Sequence, residues 1–62
     1  MDKTPVEKIE SAEEARDIAI EWQHWASEQS MSWGELADWQ GYFVELAERF
    51  GLTEEFTENG II

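Results

Sequence analysis

The chain has 62 residues, 15 acidic and four basic, a formal charge of -11 and no cysteine. That length holds one domain at most, and disulfides and thiolate metal sites are excluded. The charge argues against nucleic-acid backbones and anionic membranes as direct partners. A chain this short buries only about 60% of its unfolded surface. Stability must then come from packing or self-association, and four tryptophans, three phenylalanines and one tyrosine supply the packing material. No apolar run reaches the roughly 20 residues that span a bilayer, and no basic segment leads into an apolar one as in a signal peptide. The expectation is a soluble cytoplasmic protein.

Residues 1–10 lack periodicity and contain Pro5, which reads as a flexible lead-in to a single small helical domain over 11–62. Val6 and Ile9 are its two residues able to dock. Ser11-Ala-Glu-Glu14 is a capping box, in which the Ser11 hydroxyl accepts from the Glu14 amide and the Glu14 carboxylate reaches back to the Ser11 amide. Apolar residues then recur at Ala15, Ile18, Ala19, Trp22, Trp25 and Ala26, the spacing of an amphipathic helix over about 12–29. Ser32-Trp-Gly-Glu35 is a second capping box, with Met31 and Leu36 at the positions of a hydrophobic staple. It opens a helix over 33–50 with Leu36, Trp39, Phe43, Leu46, Ala47 and Phe50 on its core stripe. Gly51 followed by Leu52 predicts a Schellman ending. Thr53–Glu58 predicts a short third helix, capped by Thr53 and stopped by Asn59-Gly60, with at least one of Ile61 and Ile62 packed.

Two helices joined by so few residues form an antiparallel hairpin. The fold class is therefore all-α: a helical hairpin with a short third helix or C-terminal segment on it. At about 100° per residue, Glu14, Asp17, Glu21 and Glu28 of the first helix fall on the same side as Glu35, Asp38, Tyr42 and Glu45 of the second. One broad acidic face is expected, interrupted by Tyr42 and ended by Arg49. The opposite flank carries Trp33, Ala37, Gln40 and Val44 and widens the apolar arc beyond what one contact needs. The C-terminal segment is expected to cover it, leaving Trp33 buried beside Phe56 or Ile61. Ile20 points away from the core as an isolated apolar residue.

Chemistry finds little material. Glu21 and His24 have the Glu-x-x-His spacing of di-iron bundles, but both point away from the Trp22 stripe, and an exposed ion pair between them accounts for the spacing better. Ser11 and Ser32 are used in capping. No catalytic, metal or cofactor residue is expected.

The segments Ser11-Ala-Glu-Glu-Ala-Arg, Glu21-Trp-Gln, Ser32-Trp-Gly-Glu-Leu-Ala and Glu58-Asn-Gly-Ile-Ile give a pattern that resembles small acidic proteins of bacteriophages and prophages of Gram-positive bacteria. The resemblance implies synthesis in a bacterial host cytoplasm and carries no catalytic residues. The functional expectation is a non-catalytic binding module. Glu14, Asp17, Glu21, Glu28, Asp38, Tyr42 and Glu45 would dock on a basic host or phage protein, in one form as a mimic of nucleic acid. The alternative is a self-associating assembly protein, a homodimeric helical bundle.

Overall fold

The computed structural model covers residues 1–62 and is all-helical. A 3-10 turn at Val6–Lys8 precedes α1 (Ala12–Ser27), α2 (Trp33–Phe50) and α3 (Thr53–Glu58). The two long helices pack as the expected hairpin, and α3 turns back over it.

Both capping serines work through the amide three residues on. Ser11 Oγ accepts from Glu14 N–H and Ser32 Oγ from Glu35 N–H, each at 3.2 Å. The reciprocal half of each box differs from expectation. The Glu14 carboxylate accepts from the amide of Glu10 at 2.8 Å, not from that of Ser11, so it ties the lead-in to α1. Glu35 Oε1 accepts the Ser32 hydroxyl at 3.3 Å. The first helix stops two residues early, because Glu28 and Gln29 already bond three residues back, to the Trp25 and Ala26 carbonyls. Such tightening is common in a last turn.

Two glycines end the later helices. Gly51 has φ 68° and Leu52 N–H bonds the Ala47 carbonyl at 2.8 Å. Gly60 has φ 74°, with Gly60 N–H on Thr57 O and Ile61 N–H on Phe56 O. These are the bonds of Schellman endings, and they carry Leu52 and Ile61 back into the core. Thr53 is the first residue of α3 rather than its cap, since Leu52 holds that position. The Thr53 carbonyl instead accepts the Thr57 hydroxyl.

The core is a layer of aromatics between the helices. Phe43, Leu46 and Ala47 of α2 are fully buried, Ala15 and Ala19 of α1 let the helices approach, and Phe56 closes one end. The lead-in also contributes: Val6 and Ile9 are both buried, and the 3-10 turn packs on α2. The hairpin is thus flanked on one side by α3 and on the other by the lead-in. No helix is long and apolar enough to cross a membrane.

Trp39→Ala and Phe43→Ala should each cost about 3–5 kcal/mol, the penalty for deleting a buried aromatic. That removes most of the stability of a small domain. The check is thermal or urea unfolding followed by circular dichroism, and a melting temperature near wild type in either variant contradicts this core.

Candidate functional site

Seven acids lie between Asp17 and Glu48 with no lysine or arginine among them, and all seven side chains are exposed. The ladder arises because the core takes one stripe of each helix and leaves the remaining positions to solvent. None of the seven takes part in an ion pair, since the one salt bridge of the fold joins Arg16 Nε to Glu55 Oε2 at 2.7 Å. That contact, first as a hydrogen bond and then through charge, holds the Arg16 guanidinium above its ordinary pKa. Two other basic residues are also occupied internally: Lys3 Nζ lies 4.7 Å from the centre of the Trp39 ring, and Arg49 packs over Phe50. Three of the four cations are therefore in contact with groups of the fold, and the seven acids from Asp17 to Glu48 face solvent without an ion pair.

Of the expected site residues, Asp17, Glu21, Glu28, Asp38 and Glu45 are exposed. Glu14 is exposed too, but its carboxylate is engaged with the Glu10 amide. Tyr42 departs from expectation. It is only 9% exposed, and its hydroxyl donates to the Thr4 carbonyl at 2.6 Å. The lead-in crosses the helices there, and a groove beneath it is lined by Met1, Asp2, Thr4, Ile18, Glu21 and Trp25. Tyr42 consequently belongs to the core, where its ring meets Trp39 and Phe43 edge-on. Its ideal helix angle lay between the acids and the stripe, and the lead-in decided which side claimed it.

Trp33 departs in the opposite direction. It is 87% exposed, with neither Phe56 nor Ile61 over it. Its flank is open because α3 returns along α1 instead, where Gln23 Nε2 donates to the Asn59 carbonyl and Arg16 meets Glu55. Ile20 is exposed as expected.

No ion pair forms between Glu21 and His24, which replaces the expected explanation of that spacing with two separately solvated side chains. No three His, Cys, Asp or Glu side chains are grouped to hold a metal ion. A cleft of about 200 Å³ lies between α1 and α3. Of its polar side chains, Arg16 and Glu55 are bonded to each other and Gln23 to the Asn59 backbone carbonyl. No acid, histidine, lysine or arginine is buried, and the one buried titratable side chain, Tyr42, donates its hydroxyl to the Thr4 carbonyl. Comparison with family models, curated proteins and solved structures gave no match.

Burial raises the pKa of the Tyr42 phenol. The folded value then exceeds the unfolded value of about 10. Its contribution to stability is complete below that pH and is lost as pH rises towards the folded value. Tyr42 is the only tyrosine, so an absorbance titration of phenolate reads this one group. The titration should lie above that of a free tyrosine and fall back once residues 1–5 are deleted. Tyr42→Phe should cost about 1 kcal/mol through the lost hydrogen bond.

Proposed function

We propose that this protein is a non-catalytic binding module that presents its acidic helical surface to a basic surface of a host or phage protein in a bacterial cytoplasm. The observation that supports this reading is the set of seven exposed acids over residues 17–48, with no cation among them and no ion pair to any of them. Glu21, Glu28, Asp38 and Glu45 are the residues assigned to the contact, with Asp17 and Glu14 beside them. Tyr42 leaves the contact set because its ring and hydroxyl are used inside the fold. In its most specific form the surface imitates nucleic acid, the carboxylates standing where a DNA- or RNA-binding protein expects phosphates.

Such a surface steers a basic partner at long range and fixes its orientation more than it adds affinity. The attraction should therefore be strong at low salt and fade as the screening length falls to about 10 Å near 0.1 M. The test is a salt-titrated pull-down from a Gram-positive bacterial lysate, with a variant carrying Glu21→Gln, Glu28→Gln, Asp38→Asn and Glu45→Gln beside it. A basic protein should be retained by the wild type, released by salt and lost in the variant. Displacement of that protein by duplex DNA or RNA supports the mimicry form. If nothing basic is retained even at low salt, the reading is wrong. The variant's circular dichroism should match wild type, because all four positions are exposed.

A further inference from the structure

The outward side of α2 is a long helical surface without a neighbour. Trp33 stands there 87% exposed, and Ala37, Gln40, Gly41 and Val44 follow it on the solvent side. No charged side chain interrupts this stripe before Glu48, in a chain with 15 acids.

Gly41 poses a related problem. It sits in the middle of α2, it is not one of the glycines with positive φ, and a Cβ added to it would meet nothing within 4 Å. Nothing inside the monomer calls for glycine, and a mid-helix glycine weakens the helix relative to alanine.

Geometry links the two residues. Trp33 and Gly41 are about 12 Å apart along the helix axis, with Ala37 midway between them. Ala37, Gln40, Gly41 and Val44 stand at i, i+3, i+4 and i+7, the four corners of a hole that receives a knob from a facing helix. Gly41 leaves one corner of that hole without a side chain. A two-fold axis beside Ala37 sets a second α2 antiparallel to the first. It lays the second copy's Trp33 over this hole and the first Trp33 over the equivalent hole opposite. The stripe is thus complementary to itself, as an isologous interface requires.

We propose that α2 pairs antiparallel with α2 of a second copy of this chain, Trp33 of each entering the Ala37–Gln40–Gly41–Val44 hole of the other. Charge selects this occupant. A basic partner is drawn to the acidic flanks rather than to an uncharged stripe, whereas a second copy at -11 can approach closely only along such a stripe. Area sets the strength. Each indole brings about 150–250 Å², and the two stripes together come near the roughly 1,000 Å² at which specific interfaces begin. The dimer is therefore weak. Asp38 and Glu45 flank the stripe, and the two-fold axis puts both copies' pairs on one side. Added salt screens that repulsion and tightens the dimer, the reverse of its effect on an acidic surface meeting a basic one.

Sedimentation equilibrium of the full chain, from micromolar to millimolar concentration at low and high salt, tests the proposal. The expected result is a monomer–dimer equilibrium that tightens with salt. Trp33→Ala should weaken it at least about tenfold, the loss typical of an interface anchor, and Gly41→Leu should weaken it by filling the hole. Both positions are exposed, so dilute monomers of both variants should keep wild-type circular dichroism. A monomer at millimolar concentration in high salt overturns the proposal. So does a dimer whose affinity ignores both substitutions. Neither outcome touches the acidic-surface reading, which is tested at low salt with other side chains.

Discussion

Phe43 is the point at which the helices and the lead-in are held together. Its ring lies 5.2 Å from Trp22 of α1, 6.1 Å from Phe56 of α3 and 5.1 Å from Tyr42, whose hydroxyl holds the lead-in. Most of these contacts are edge-on, the geometry that aromatic quadrupoles favour. The choice of residue type follows from chain length. Ordering one backbone residue costs about 1–2 kcal/mol, whether its side chain is small or large. A 62-residue chain without cysteine gains most by placing its largest apolar groups at the few positions that all its elements share.

That arrangement separates two kinds of surface. The core uses one stripe of each long helix, so charge is confined to the remaining positions, and no ionised group is buried. Two of the four cations join elements, Arg16 between α1 and α3 and Lys3 between the lead-in and α2, while Arg49 lies over its chain neighbour Phe50. The acidic field is therefore a consequence of where the cations went as much as of how many acids there are. The stripe from Trp33 to Val44 on α2 lies beside both systems, outside the core and uncharged until Glu48.

The parts that were legible before the structure are those written in local chemistry. Ser11, Ser32, Gly51 and Gly60 mark helix ends by hydrogen bonds and backbone angles that span only a few residues, and the periodic stripe names Trp39, Phe43, Leu46 and Ala47. What failed was assignment of the third layer. A helical wheel gives the direction of Tyr42 and Trp33 but not which flank a distant segment will cover. Part of the Trp33 expectation was open to simple arithmetic. Trp33 lies about 26 Å back along α2 from Phe50. The six residues from Gly51 to Phe56 reach only about 13 Å, so Phe56 could not cover it, and Ile61 could do so only on a fully extended tail. The lead-in has no periodicity at all, so its claim on Tyr42, made through a backbone carbonyl of Thr4, left no trace in residue types.

The way the lead-in is attached also sets the order in which the molecule comes apart. The hairpin joins neighbours in the chain, and α3 follows α2 directly, so these pieces assemble with little loop closure. The lead-in reaches Tyr42 across 38 residues. Val6, Ile9, one phenolic hydrogen bond and the Lys3–Trp39 contact hold it there. Few buried contacts and a distant partner place it at the low end of local opening free energies. Each opening briefly wets Tyr42 and the face of Trp39 while the hairpin stays folded, which makes the lead-in a kinetic cover for the aromatic layer as well as part of its walls.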